Sequence, residues 1–345
     1  MTREEIIIDN IFNELLNNRN FEMDANIGNI KYRVKFLAPT DSIHLPSILA
    51  IPLTNEINNE FVMESNNYET GDLRRIISQG SDTAIRLAKL TSEKPSPIII
   101  PLLPSYREGP YYQQLSSECF DLPETDRNYR IDEQVVQLIE NAKNILSSEF
   151  GMRMNDRIFL NGYSSSGVFA QRFALLHPEI VGYACIGGAS GSIPLPTDEL
   201  DYPLGIRNYE QITGKKFDLQ SYSNIKFRYY VGELETVNKA SDRTDDEGNL
   251  APMHDMSYFD RSVPKEVGRK QRELLGKDMF QRAKNTIDKL KSIGIDIEQY
   301  IIKGRSHNNR SGIGVNEIGD QIINECFLET LNNYKSLWFG GEDYK

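Results

Sequence analysis

Cysteine is scarce in this chain of 345 residues: Cys119, Cys185 and Cys326 lie far apart, with no C-x-x-C pair. That spacing excludes a disulfide framework and a thiolate metal site, and it fits buried, inert thiols in a reducing compartment. Histidine is scarce too, at four residues, so chemistry that needs an imidazole has few candidates. Positive charge is in deficit: 39 Lys and Arg stand against 50 Asp and Glu, a formal charge of −11. With no basic block, nucleic acid and anionic membrane surfaces are not expected partners. Long apolar runs are missing as well, the longest being "IIIPLLP", far too short to cross a bilayer. The opening "MTREEIIIDNIFNELL" is acidic and amphipathic, unlike a signal peptide. A cytoplasmic protein is expected, and the oligomeric state is left open.

What the chain does have is a composition for packing, 39% hydrophobic with 10% aromatic residues. The spacing predicts a helix over 3–17, a β-hairpin in "FEMDANIGNIKYRVKFLAP", a strand at 47–53 and a helix over 71–90 in which Gly80 falls on the apolar face. From "PIIIPLL" onward, continuous apolar strands alternate with amphipathic helices. Strands are expected at "RIFLN", "VGYACIGG", "IKFRYYVGE" and "IDIEQYIIKG", and helices over 131–149, after Ser164, through about 269–291 and in "IGDQIINECFLETL". This is the pattern of an α/β fold with a mainly parallel sheet covered on both faces. One domain over 1–345 is expected, with 1–95 as an N-terminal helix, hairpin and helix extension, and with 238–268 as an insertion that suits a lid or pocket wall.

The stretch "IFLNGYSSSGVFAQRF" sets three serines between two glycines where a buried-type strand meets a helix. A nucleophile elbow needs small residues two before and two after its central residue, because the backbone is crowded there. Gly162-Tyr163-Ser164-Ser165-Ser166 meets that need with Ser164 central, although Ser166 stands where a second glycine is usual. The Ser165 N–H, at the helix start, is then placed to meet a developing oxyanion.

"NDRIFLNGYSSSGVFAQRFALLHPEIVGYACIGGASG" resembles the central segment of α/β-hydrolases, and is most similar to serine esterases related to feruloyl esterases and polyhydroxyalkanoate depolymerases. The resemblance covers about residues 95–335. It implies an eight-stranded sheet, a Ser–acid–His triad in that chain order, and hydrolysis of carboxylic esters with no cofactor and no metal. His307, in the loop after the last strand, matches the family's base. In the loop "GELETVN", where the family often reads Gly-x-x-Asp, the matching acid is Glu235; Glu233, Asp242 and the acidic run at 244–247 remain alternatives. His44, His177 and His254 are the other imidazoles, with His177 read as a packing residue. The second oxyanion donor is expected after "PIIIPLL", where Pro101 and Pro104 have no N–H; Leu103 is chosen over Leu102 and Ser105. Tyr106, Arg107, Tyr111 and Tyr112 continue that loop and suit either an aromatic or acidic substrate portion or a structural cluster. The expected activity is a serine esterase working through an acyl-enzyme on a small-molecule ester. An amidase, thioesterase or acyltransferase with the same triad is the alternative, as is a binding protein that has lost turnover.

Overall fold

The computed structural model describes residues 2–67, 71–106, 109–233, 240–244, 250–252 and 262–303, together with Phe327. Helix α1 (Arg3–Leu16) starts at a closed capping box in which Thr2 and Glu5 bond each other's backbone N–H. The expected hairpin is formed by β1 (Phe21–Ile27) and β2 (Ile30–Leu37), turning at Gly28 with φ 60°. Next come β3 (Ser47–Pro52), the short β4 (Val62–Met63), α2 (Leu73–Leu90) and β5 (Ile98–Pro101). Helix α3 (Ile131–Phe150), β6 (Ile158–Tyr163), α4 (Ser165–Leu176) and β7 (Val181–Gly187) form the middle of the chain. Short helices α5 (Tyr209–Thr213) and α6 (Leu219–Ser223) precede β8 (Lys226–Gly232). Within the expected insertion, β9 (Ala240–Thr244) and β10 (Leu250–Pro252) pair as a separate antiparallel ribbon. Helices α7 (Lys265–Leu275) and α8 (Met279–Ser292) lead to β11 (Asp296–Ile302).

Among the described residues the main sheet has nine strands, in the order β1-β2-β3-β5-β4-β6-β7-β8-β11. The six strands from β5 to β11 are parallel, and β1, β2 and β3 continue the sheet antiparallel. Both strands of the hairpin therefore belong to the sheet, with β1 at its edge, and the described strands number one more than the eight expected. Two apolar layers cover the faces. Ile11, Ile77 and Leu87 of α1 and α2 pack on one side with Phe159 and Phe327. Val135, Leu138, Phe169, Phe173 and Ile287 of α3, α4 and α8 pack on the other. Every residue of β5 and β6 is buried, as a strand covered on both faces requires.

Two glycines explain why one helix matches its expected span and another does not. Helix α2 runs unbroken through Gly80 because a Cβ there would meet Leu102 Cδ2 at 2.5 Å and Ile48 Cδ1 at 3.0 Å, so glycine lets the helix seat closely on the sheet. The single helix expected through 269–291 is instead two. Gly276, at φ 113°, ends α7, and Asp278 restarts the chain by accepting the Gln281 N–H at 3.0 Å. The expected C-terminal helix lies outside the described residues apart from Phe327. Among the described residues no helix is long and apolar enough to cross a membrane.

Candidate active site

At the carboxyl end of β6 the chain turns sharply into α4. Ser164 sits on that turn at φ 57°, ψ −118°, a left-handed backbone that a side chain adopts only when its surroundings compel it. Its N–H extends the β6–β7 ladder to the Gly187 carbonyl at 2.9 Å, and its own carbonyl accepts from Val168 N–H at 2.9 Å. Ser164 thus follows directly on the last strand residue, Tyr163, and caps the helix. From Ile158 to Pro178 it is the one residue that is not buried.

The neighbours show why the turn has this sequence. A Cβ on Gly162 would lie 2.2 Å from the Ser166 carbonyl oxygen, and one on Gly167 would lie 2.8 Å from the Gly187 carbonyl oxygen. Ser166, in place of the usual glycine, turns its hydroxyl back to accept from Tyr163 N–H at 2.9 Å, with the Tyr163 carbonyl at 3.0 Å as its acceptor. Ser165 Oγ donates to Tyr111 OH at 3.1 Å and accepts from Gln114 Nε2 at 3.2 Å. Two of the three hydroxyls thus serve the scaffold. The Ser165 N–H makes no hydrogen bond among the described residues, which leaves it available to an anion at the α4 amino end.

Leu103 does not fit the donor role expected for it. Its N–H donates to Asn66 Oδ1 at 2.7 Å and its carbonyl accepts from Asn66 Nδ2 at 3.0 Å, so both backbone groups are engaged by one buried carboxamide. The cause is the sheet order. β4 lies between β5 and β6, so the loop after β4, not the loop after β5, adjoins the elbow. That loop begins Glu64-Ser65-Asn66-Asn67, and Asn67 Oδ1 accepts from Ser166 N–H at 3.1 Å. Beneath it the Glu64 carboxylate, 2% exposed, accepts from Arg86 and Asn161 and lies 3.4 Å from Ser166 Oγ. The sequence pointed to none of Glu64, Asn66 or Asn67, since a two-residue strand has no periodicity by which to mark the loop at its carboxyl end.

Glu235, His307, His254 and Arg107 lie outside the described residues, as does the run 245–247. The strands that lead to the first two are described. β8 and β11 are parallel neighbours whose last residues, Gly232 and Ile302, pair in register, and both end on the same rim as β6 because all three strands are parallel. Glu233 is exposed, its N–H bonded to the Ile302 carbonyl at 3.0 Å. His44 lies half-buried in a loop ahead of β3.

His177 belongs to a different cluster. Its Nε2 lies 3.0 Å from Asp132 Oδ2, and Arg130 holds the same carboxylate with two bonds at 2.9 and 2.7 Å. Burial pushes the Asp132 carboxyl up, but the hydrogen bonds from His177 and Arg130 outweigh it and hold the group well below the usual carboxylate range. Burial likewise pulls the His177 imidazole down, and its bonds to Asp132 and Glu179 more than reverse that. Asp132, Glu133 and His177 offer ligand atoms within 4.8 Å of one another. Arg130 and Lys215 already neutralise both carboxylates, so the group is an ion-pair cluster joining α3 to the end of α4, not a metal site.

No family model matches the chain, and no curated protein does. Among solved structures it is similar to poly(aspartic acid) hydrolase-1 from Sphingomonas sp. KT-1, at 13% identity over 88% of this chain and 98% of that one, with a TM-score of 0.49. It is similar to an S-formylglutathione hydrolase from Agrobacterium tumefaciens at 13% identity, over 91% and 99% of the two chains, TM-score 0.46. It is also similar to carboxyl esterase 2 from Tuber melanosporum at 10% identity, over 94% and 97%, TM-score 0.45. At such values none of their activities transfers to this chain. The strand order and the strained serine turn at the carboxyl end of a central parallel strand are its own, and they make this an α/β-hydrolase fold.

Proposed function

We propose that the protein is a serine hydrolase that cleaves a carboxylic ester through an acyl-enzyme, with Ser164 as nucleophile. One observation carries the reading: in a fully buried strand–turn–helix, Ser164 alone is lifted toward solvent, by a backbone conformation that costs on the order of 1–3 kcal/mol to hold. Strain kept at a single hydroxyl, with Gly162 and Gly167 shaped around it, favours a reactive group over a flexible joint.

In this reading His307 takes the Ser164 proton as Oγ attacks the ester carbonyl, then returns it to the leaving alcohol. Glu235 orients the imidazole and stabilises its protonated form. Both roles rest on the resemblance and on the rim at which β8 and β11 end. The oxyanion is held by the Ser165 N–H and by a donor from the loop after β4, assigned to Asn67 in place of Leu103. Because Ser166 N–H can only donate, the Asn67 atom facing it is Oδ1, which leaves Nδ2 to donate elsewhere. Water then deacylates the enzyme.

A fluorophosphonate probe tests the nucleophile directly. Wild type is expected to be labelled and to hydrolyse p-nitrophenyl acetate, while Ser164→Ala does neither and melts at the same temperature or higher. Labelling that persists in Ser164→Ala would remove Ser164 from the mechanism.

A further inference from the structure

On the same rim as the elbow, two strands away, lies a second feature that the hydrolytic mechanism does not use. A cavity of about 280 Å³ opens between the loop after β5, the start of α2, the end of α1 and the segment ahead of α3. Strands β5 and β6 flank β4, so the end of β5, whose loop lines the cavity, lies two strand spacings, about 10 Å, along the sheet from the end of β6. Its volume is at the small end for ligand pockets.

The lining divides into two kinds. Leu45, Leu73 and other aliphatic residues form the body, while Asn18, His44, Arg127, Asn128 and Tyr106 are the polar ones. Among the described residues no Asp or Glu lines it, in a chain with 50 acids. The Arg127 guanidinium bonds only the His44 carbonyl, at 3.3 Å, and takes part in no ion pair among the described residues. The His44 ring likewise has no hydrogen bond among the described residues. This pairing of a guanidinium and an imidazole is built into the fold. The buried Gln134 accepts from His44 N–H at 2.8 Å and donates to the carbonyls of Arg127 and Tyr129 at 2.9 and 3.0 Å. Gln134 thereby fixes the two backbones side by side. The lining residue Asn128 donates from Nδ2 to Tyr112 OH at 3.3 Å, and the next residue back, Tyr111, meets Ser165. The cavity wall and the elbow are thus joined through adjacent tyrosines.

We infer that this cavity binds an organic carboxylate, with the apolar body in the aliphatic part and the carboxylate on Arg127 and His44. A guanidinium with no carboxylate partner among the described residues offers a bidentate fork to such a group, and no described acid in the lining opposes it. A neutral or cationic ligand would leave Arg127 unused. The assignment does not need Ser164 to be a nucleophile. Where both hold, the anion is a remote part of the ester substrate, seated away from the scissile bond.

Isothermal titration with 4-phenylbutyrate and with 4-phenylbutanol, which differ only in the charged end, tests it. Wild type is expected to bind the acid at least about tenfold more tightly than the alcohol. In Arg127→Gln that gap is expected to close while alcohol binding and thermal unfolding stay as in wild type; Arg127 is exposed, so its loss does not strip the core. Equal binding of acid and alcohol by wild type, no detectable binding of the acid, or a gap that survives in Arg127→Gln would each overturn the inference. Fluorophosphonate labelling reads Ser164 separately, so failure of one reading is distinguishable from failure of the other.

Discussion

Asn67 is the residue through which the sheet order bears on chemistry. With its Oδ1 held by Ser166 N–H, its remaining donors serve the developing oxyanion in the proposed mechanism. Asn67→Ala is expected to lower kcat for p-nitrophenyl acetate by about 10²–10³-fold with little change in KM, the loss usual for one oxyanion donor. Leu103→Ala should leave kcat within a few-fold of wild type. Steady-state kinetics checks this: a kcat for Asn67→Ala within a few-fold of wild type would remove Asn67 from the oxyanion hole, while Leu103→Ala, which keeps its backbone N–H, controls for packing. The strained turn at Ser164 was legible in the sequence because its requirement is local: a crowded turn demands small residues at fixed offsets, and Gly162 and Ser166 supply them. The engagement of the Leu103 N–H was not legible, because it depends on a carboxamide from elsewhere in the chain, Asn66.

The join between α3 and α4 rests on His177, Asp132 and Arg130, all at least largely buried. Breaking a buried pair leaves an uncompensated charge, so Asp132→Asn is expected to cost about 3–5 kcal/mol at pH 7. The pH dependence is set by the two directions. His177 is raised above its usual 6.5, so its contribution is complete below pH 6.5 and fades as pH climbs through the raised value. Asp132 is lowered from its usual 3.8, so its contribution is complete above about pH 4 and fades as pH falls through the depressed value. Urea denaturation of wild type and Asp132→Asn across pH should show the widest gap between those limits; a gap independent of pH would deny the ion pair its role. Among the elements, long periodic ones such as α3 and the apolar β5 and β6 were readable from spacing. Val62–Met63 was not, since two residues cannot display a period, and the break at Gly276 was hidden because the apolar pattern runs on across it.

Across the whole molecule, the sheet's middle is assembled out of chain order. β4 is made before β5 yet ends beyond it, bridged on its far side only by β6. A chain ending at Phe150 keeps β1 to β5 but leaves the buried Val62 and Met63 with one open edge, and such edges recruit other chains. That fragment is expected to aggregate on dynamic light scattering, whereas a monomeric fragment with a cooperative melt would contradict the expectation. The order of strands also has a temporal side. On a ribosome the two residues of β4 emerge roughly five to twenty seconds before the strand that will enclose them, at ordinary rates of synthesis. For that interval the nascent chain must hold open a slot at the centre of what it is building, and shield the segment meant to fill it.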